Sequence, residues 1–311
     1  MSEQSVSESD VSVPSVGPPG GSDDTGVVRP PYVPSERRLA REAYRRSRTR
    51  RSAIVATAST LAVAAVLFFV ITGSPGWPVT KKTFLDPGYA RSALSPVLHG
   101  FVLNLELLAV CGPTILVLGL LIAAVRTLRG PVFLPLRLLA TAYVDFFRGF
   151  PLIILLLLIV FGVPALQLQG VTNDPILLGG AALVINYSAY VAEVFRAGIE
   201  SVHPSQRAAA RSIGLTYAQT MRFVVLPQAV RRVVPALVND MASLQKDTGL
   251  VYVGGAIDAV AAAHIQVASS FNYTPLVVAG LGFVILTIPM TRYADWLTRR
   301  MDRRRAQGGI V

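Results

Sequence analysis

The chain has 311 residues, of which 52% are hydrophobic and only 15% are charged. Soluble domains carry about 25% charged residues, so this composition excludes an ordinary soluble protein and indicates a membrane protein. The formal net charge is +11, from 29 basic and 18 acidic residues. In a membrane protein such an excess reflects topology, and nucleic acid is not an expected partner.

The N-terminal part combines a polar tail with a basic, then apolar, segment. Residues 1–35 are rich in Ser, Pro, Gly and acidic residues without periodicity, and are predicted to be a disordered cytoplasmic tail. The segment 36–73 contains the apolar run 53–72, which spans about 30 Å as a helix and is predicted to be the first transmembrane helix. It begins too late for a signal peptide. The arginines that precede it, and that favour a cytoplasmic N-terminus, are Arg37, Arg38, Arg41, Arg45, Arg46, Arg48, Arg50 and Arg51.

Five further apolar runs follow along the chain. They lie at 97–126, 134–165, 175–197, 230–263 and 274–296. Together with the first run they predict an all-α membrane protein of about six transmembrane helices. The longest runs exceed one membrane thickness, so we expect them to include broken portions.

The positions of Lys and Arg predict how these spans are oriented. If the chain starts in the cytoplasm and alternates, the outside loops hold only Lys81, Lys82 and Arg91. Every inside loop is basic, and the stretch 298–311 is predicted to be a basic cytoplasmic tail, so both termini are predicted to be cytoplasmic. The inside residues are Arg126, Arg129, Arg137, Arg207, Arg211, Arg222, Arg231, Arg232, Arg299, Arg300, Arg303, Arg304 and Arg305.

Motifs of catalysis and nucleotide binding are missing from the sequence. It contains no Gly-Lys pair, and therefore no phosphate-binding loop of the Gly-x-x-x-x-Gly-Lys-Ser/Thr type. The histidines His99, His203 and His264 stand singly, and Cys111 is the one cysteine. We therefore expect no metal site, no bound cofactor and no catalytic residue in this chain. If ATP drives its activity, another chain must hydrolyse the ATP.

The segment from about 199 to 228 is the longest predicted cytoplasmic loop between spans. Ala208, Ala209 and Ala210 favour a helix, Gly214 predicts a break, and the stretch 218–225 predicts a second helix that ends at Pro227. Such a helix–turn–helix can bind a cytoplasmic partner. An ordinary linker between spans is the alternative interpretation of the composition.

The same loop carries a family resemblance. Ala209-Ala210, three residues, Gly214, nine residues and Val224-x-Leu226-Pro227 resemble the coupling-loop signature of ABC importer permeases, which is Glu-Ala-Ala, three residues, Gly, nine residues and Ile-x-Leu-Pro. Four further segments between 97 and 297 resemble permeases for polar amino acids in particular. They are YVDFFRGFPL at 143–152, SAYVAEVFRAGIESV at 188–202, LPQAVRRVVPALVND at 226–240 and LQKDTGL at 244–250.

The resemblance implies a fold and a set of partners. Residues 97–297 are expected to form the five-helix importer core, to which the first span is an addition. The implied partners are two ATP-binding subunits carrying ATP and Mg²⁺, a second permease subunit, identical or related, and an external amino-acid-binding protein, in a bacterial cytoplasmic membrane. Ala208 departs from the family pattern, which has Glu there. The implied coupling residues are Ala208, Ala209, Ala210, Arg211, Gly214, Leu226 and Pro227.

Polar residues inside the predicted spans are candidates for a translocation path, because a central charge costs about 2.5–3.5 kcal/mol to insert. Asn239, Ser243, Lys246 and Asp247 follow the spacing of one helical face, and Gly249 after them can unwind the helix. Lys246 and Asp247 complement the two charges of an amino acid, although they can instead neutralise each other. The candidates for the path are Asn239, Ser243, Lys246, Asp247, Thr248 and Glu193.

Two pairs of opposite charge lie three residues apart within spans. Glu193 and Arg196 are expected to form an ion pair, with a role of Glu193 in the path as the alternative. Asp145 and Arg148 are likewise expected to pair, just before a helix break at Gly149 and Pro151.

Three functions are compatible with these features. The leading prediction is the membrane-spanning subunit of an ABC importer for polar or charged amino acids. An ion- or proton-coupled secondary transporter is the alternative, and Glu193 and Asp247 would be its titrating carboxylates. The third is a non-transporting receptor or scaffold, which predicts that the loop 207–227 tolerates substitution.

Overall fold

The computed structural model describes residues 35–128 and 130–308. Within them the regular structure is helical throughout, and no β-strand occurs in the described ranges. The chain divides into two compact units, residues 1–74 and 75–311. Apart from Ser35, the predicted disordered tail over 1–35 lies outside the described residues, and so does Arg129.

The first unit contributes a single described helix, α1, at Glu36–Thr72. Its part Ser52–Thr72 is 21 residues long, has a mean hydropathy of 2.5 and buries none of its residues within the chain. The hydroxyls of Ser59 and Thr60 donate to the carbonyl of Ala56, so these polar groups are satisfied inside the helix. A helix of this length and composition suits direct contact with lipid.

The second unit contains ten described α-helices and three short segments of other helical geometry. Pro131–Phe133 and Thr248–Gly254 are 3₁₀ turns, and Met221–Val225 is a π-helical turn. The α-helices are α2 Trp77–Phe84, α3 Pro87–Thr127, α4 Leu134–Gly149, α5 Leu152–Ala165, α6 Pro175–Glu200, α7 Pro204–Ser212, α8 Tyr217–Thr220, α9 Leu226–Asp247, α10 Ala259–Ser270 and α11 Thr274–Gly308.

The described helices agree with the predicted number of spans. Four of them are long and apolar enough to cross a membrane, and two bent pairs raise the number to as many as six. One pair is α4 with α5, bent by 105°, and the other joins 217–254 to α10 with a bend of 49°. The predicted fold class, an all-α membrane protein of about six spans, is confirmed.

Two predicted boundaries differ from the observed ones. The helix α11 runs to Gly308, through most of the segment 298–311 that was predicted to be a tail. Arg, Met, Ala and Gln dominate there and favour helix, so the helix continues beyond the candidate span Thr274–Met301. Pro227 does not end a helix, because it lies in the first turn of α9, where its missing N–H leaves no helical bond unmade.

Aspartate caps begin three of the helices. Asp86, Asp174 and Asp258 each accept a hydrogen bond from a backbone N–H in the first turn of α3, α6 and α10, at 2.8 Å in every case. Such a cap satisfies an amide that has no partner within its own helix. The caps therefore fix where these helices begin.

The helix α6 lies at the centre of the second unit and contacts α3, α4, α5 and α9. Small residues allow the closest approach, since Gly119 of α3 leaves no room for a Cβ beside Val191 of α6. Ile115, Leu183 and Leu244 are fully buried in this core. Because α6 contacts four helices, side chains on its remaining polar positions can reach several of them at once.

Candidate functional site

The break between α4 and α5 is the first element of the site. The helix stops at Gly149 and resumes at Leu152, and Pro151 has no N–H to continue the ladder. Asn186 of α6 donates its side-chain amide to the carbonyls of Phe147 (2.9 Å) and Phe150 (3.4 Å). The freed backbone is therefore satisfied by a neighbouring helix, as a break within a membrane requires.

A cavity of about 390 Å³ lies beside this break. The break forms one wall, one face of α6 forms the second, and one face of α9 forms the third. Its size falls within the roughly 300–1,000 Å³ of small-molecule sites. The lining residues are Arg148, Gly149, Phe150, Pro151, Leu152, Asn186, Tyr187, Tyr190, Asp240, Ser243 and Asp247.

Three of the lining residues have acidic or basic side chains, and both signs of charge are represented. Asp240 and Asp247 contribute carboxylates from α9, and Arg148 contributes a guanidinium from the end of α4. The Tyr187 hydroxyl donates to Asp247 Oδ2 at 2.7 Å and orients that carboxylate. Oδ2 of Asp240 is buried and has no hydrogen-bond partner among the described residues. The cavity thus offers separate sites for a cationic and an anionic group.

The predicted polar stripe on α9 is divided by the structure. Ser243 and Asp247 line the cavity, whereas Asn239 and Lys246 are exposed on the surface of the chain. Thr248 is fully buried outside the cavity and donates to the carbonyl of Gln245 at 2.8 Å. The stripe separates because the cavity borders the side of α9 that holds Asp240, Ser243 and Asp247, whereas Asn239 and Lys246 lie along the other edge of the same stripe.

Sequence reasoning missed several lining residues. Asp240 precedes Ser243 by three residues and Asp247 by seven, so the helical spacing alone places it on the same face. Asn186, Tyr187 and Tyr190 similarly follow an i, i+1, i+4 pattern on α6. These positions carried a usable signal, but only the packing of α6 against α9 identifies the face that lines the cavity.

The predicted pair of Glu193 with Arg196 forms, and it belongs to a larger network of charged side chains. Glu193 accepts from Arg126 of α3 at 2.8 Å and from Nε of Arg196 at 3.0 Å, and Arg196 also pairs with Glu200. Arg148 of α4 lies 4.0 Å from Glu193. Glu193 therefore connects three helices, α3, α4 and α6, and it does not line the cavity.

The expected pair between Asp145 and Arg148 is not formed. Asp145 is exposed, and no ion pair to it occurs among the described residues. Arg148 lies towards Glu193, and its guanidinium is 5.9 Å from the centre of the Tyr190 ring. Packing of α4 on α6 gives Arg148 partners that are absent from its own helix.

The segment between α6 and α9 has the predicted two-helix form. Gly214 separates α7 from α8 with φ of +87°, a left-handed conformation that glycine adopts without strain. Thr216 and Gln219 form a reciprocal capping box at the start of α8, with N–H···O distances of 2.9 and 3.3 Å. The turn and the second helix are therefore locally specified.

The surface of α7 has small and basic side chains. Ala208 and Ala209 are exposed, whereas Ala210 is buried. Pro204, Arg207, Ala208 and Arg211 line a shallow groove of about 440 Å³. The two exposed alanines and the groove leave room for a partner to approach the backbone closely.

Hydrogen bonds join this segment to the end of α6. The Arg207 guanidinium donates to the carbonyl of Ile199 at 2.5 Å, and Arg232 of α9 donates to the carbonyl of Ser201. Carbonyls at a helix end have no partner within the helix, so these arginines satisfy them. The segment is consequently attached directly to the helix that forms a cavity wall.

This arrangement is that of a helical membrane transport subunit, and comparison with known sequences specifies which kind. The family described as the inner membrane component of binding-protein-dependent transport systems matches residues 113–304, more than half of the chain. The chain belongs to that family, and it is a multi-pass membrane protein.

Individual relatives support the resemblance drawn from the sequence motifs, which is confirmed. The arginine transport system permease protein ArtQ of Bacillus subtilis is 32% identical over 206 residues, covering 66% of this chain and 92% of the relative. The probable glutamine ABC transporter permease protein GlnM of the same species is 36% identical over 181 residues, covering 58% and 82%.

Solved structures agree with the fold. A crystal structure of an amino acid ABC transporter with histidines matches with a TM-score of 0.64 and 31% identity, covering 70% of this chain and 99% of that chain. A methionine ABC transporter, MetNI, in an inward-facing form has a TM-score of 0.53 at 23% identity, covering 66% and 95%, and supports the fold alone.

Proposed function

We propose that this chain is the membrane-spanning subunit of an ABC importer for polar or charged amino acids. Two such subunits, identical or related, form the path, and an external binding protein delivers the substrate. Two ATP-binding subunits carry the ATP and Mg²⁺. The relatives named for arginine and glutamine transport support the substrate class.

One observation carries the proposal: a single helix, α6, joins a polar cavity to a helical segment with an accessible surface. Its side chains form one cavity wall, and its last carbonyls accept hydrogen bonds from Arg207 and Arg232. When the ATP-binding subunits close, they displace α7 and with it the end of α6. The cavity then alternates between the two sides of the membrane.

The proposed orientation places both termini and the 199–228 segment in the cytoplasm. Between Glu200 and Asp240 the chain has five arginines and no acidic residue, which suits an inside loop. The family's Glu is replaced by Ala208, and the groove on α7 has Arg207 and Arg211 in its walls. We therefore expect the docking surface of the partner to bring carboxylates to this groove.

The proposal is tested by purifying the complex in detergent with wild-type chain, with Ala208→Tyr and with Ala208→Ser. Tyr fills the groove on α7 without changing its charge, and Ser keeps the side chain small. Because Ala208 is exposed, neither variant disturbs the fold. We expect a stoichiometric ATP-binding chain and ATPase activity with the wild type and Ala208→Ser, and the loss of both with Ala208→Tyr.

An opposite result would favour secondary transport. If the purified chain carries no ATP-binding partner and still takes up amino acids in proteoliposomes under an ion gradient, the importer assignment fails. If Ala208→Tyr binds the ATP-binding chain as well as the wild type does, the groove on α7 is not part of the coupling surface.

A further inference from the structure

The charges in the cavity wall do not balance. Two of its three ionisable groups are the carboxylates of Asp240 and Asp247, and the third is the guanidinium of Arg148. From this imbalance we infer that the transported amino acid has a cationic side chain and a net charge of +1. The inference rests on the proposed function and specifies its substrate class.

Arg148 supplies the site for the substrate's α-carboxylate. Its nearest acidic neighbour, Glu193, lies 4.0 Å away and already accepts closer hydrogen bonds from Arg126 and Arg196. The guanidinium is therefore left with binding capacity on its cavity side. Leu152, the first residue of α5, lies in the same wall. Backbone N–H groups in the first turn of a helix favour an anion, so the start of α5 also favours the substrate's carboxylate.

A neutral amino acid has only one cationic group, so it cannot pair with both aspartates. The α-ammonium group of the substrate neutralises one carboxylate, and the other remains a charge within a span, which is unfavourable. Lys246 adjoins Asp247 in sequence but is exposed and does not line the cavity. A second cationic group on the substrate, an ammonium or a guanidinium, completes the pairing.

The state of Asp240 supports this assignment independently of the count of charges. Its Oδ2 is buried and has no hydrogen-bond partner among the described residues, whereas Oδ2 of Asp247 accepts from Tyr187. A buried carboxylate oxygen without a donor is unfavourable until a ligand supplies one. Arginine and lysine side chains carry only donors at their charged ends.

An acidic or neutral substrate fits this cavity less well. A glutamate side chain would add a second carboxylate to the substrate opposite Asp240 and Asp247, where only Arg148 is cationic. A glutamine side chain can donate to Asp240 but brings no charge. The ranking expected from the cavity is arginine and lysine first, glutamine next and glutamate last.

The test measures binding to the complete detergent-purified complex of permease and ATP-binding subunits, without the external binding protein. Radiolabelled L-arginine, L-glutamine and L-glutamate are the probes, with unlabelled L-lysine as competitor. We expect arginine to bind at least about tenfold more tightly than glutamine, and lysine to displace it. Asp240→Asn is nearly isosteric and should lower arginine affinity at least about tenfold, and glutamine affinity by a smaller factor, because a glutamine side chain brings no charge to Asp240.

Asp295→Asn is the matched control, because Asp295 is an exposed aspartate on α11 outside the cavity. It should leave all three affinities unchanged. A thermal unfolding midpoint of the Asp240→Asn complex that equals that of the Asp295→Asn complex shows that the variant is folded.

The inference is overturned if glutamine or glutamate binds as tightly as arginine, or if Asp240→Asn and Asp247→Asn leave arginine affinity unchanged. Either result leaves the importer function intact. If the complex binds none of the three amino acids, the inference fails, whereas the proposed function is decided separately by whether an ATP-binding chain copurifies.

Discussion

Two interrupted spans are stabilised in different ways. The break between α4 and α5 opens onto the cavity, and its free carbonyls accept hydrogen bonds from Asn186 and Tyr190 of α6. The break before α10, called the sealed break below, closes on a buried contact with α3, although Gly255 and Ile257 beside that contact are exposed. There Asp258 is fully buried, and Asn104 of α3 donates to its Oδ2 at 3.0 Å and accepts from the N–H of Ala259 at 3.2 Å.

The difference separates a functional break from a structural one. Groups in the sealed break have no alternative partner when a contact is lost, because water is excluded. Groups at the open break border a cavity that water or substrate can enter. Substitutions at the sealed break should therefore reduce the amount of folded protein, whereas those at the open break should reduce binding and transport.

Gly100→Ala should have the largest effect. A Cβ at Gly100 would overlap backbone atoms of Asp258 and Ala259, which cannot rotate away. We expect destabilisation by about 3 kcal/mol or more, measured as loss of the monodisperse peak in size-exclusion chromatography. Gly280→Ala on α11 is the control, since a Cβ there meets no atom within 4 Å and alanine favours helix. A normal yield of Gly100→Ala would show that the sealed break can shift.

Asn104→Leu should rank second. It removes one partner each from Asp258 and Ala259, both buried, at a cost of about 1–3 kcal/mol for each group. The expected result is a clear drop in the midpoint of thermal unfolding in detergent. Asn239→Leu, at an exposed position of α9, should change stability by less than about 0.5 kcal/mol. Equal midpoints for the two variants would contradict the assignment of Asn104 to a sealed site.

Asn186→Leu should affect binding more than folding. It removes both side-chain donors to the carbonyls of Phe147 and Phe150 and replaces a polar cavity wall by an apolar one. We expect amino acid affinity of the complex to fall at least about tenfold. The loss of thermal stability should be smaller than that of Asn104→Leu, because the carbonyls can bind water from the cavity. A larger loss of stability would indicate that the open break is sealed too.

Tyr190→Phe should have the smallest effect. It removes the hydrogen bond of 2.9 Å from the Tyr190 hydroxyl to the carbonyl of Arg148. The bond lies at a partly exposed position, and such a bond contributes about 0.5–1.5 kcal/mol. Uptake by proteoliposomes should show a KM raised about two- to tenfold, and the midpoint of thermal unfolding should fall by less than that of Asn186→Leu. Tyr293→Phe, exposed on α11, serves as control. An unchanged KM would mean that Tyr190 does not position Arg148.

The sequence was sufficient where the signal is local. Gly149 and Pro151 predict the break in the span 134–165, and Gly214 predicts the turn between α7 and α8, because these residues restrict or relax their own backbone. Apolar length predicts the number of spans. The misreading of Pro227 is also local, since proline is compatible with both the end and the first turn of a helix.

The site was less predictable because it depends on packing between helices. Spacing on α9 permits two faces, and only contact with α6 selects the one that contains Asp240 rather than Lys246. Asp145 and Arg148 have the spacing of a pair, yet the neighbouring helix supplies Glu193 as a closer partner for Arg148. Partners that lie far apart in sequence leave no periodic signal in one chain.

The hydrogen bond from Arg207 to the last turn of α6 has a thermodynamic consequence. The same helix contributes Asn186, Tyr187 and Tyr190 to the cavity, so any displacement of its end is shared by both surfaces. Binding free energies linked in this way are reciprocal. If docking of the ATP-binding subunits changes the affinity for the amino acid by some factor, the amino acid changes the affinity for those subunits by the same factor.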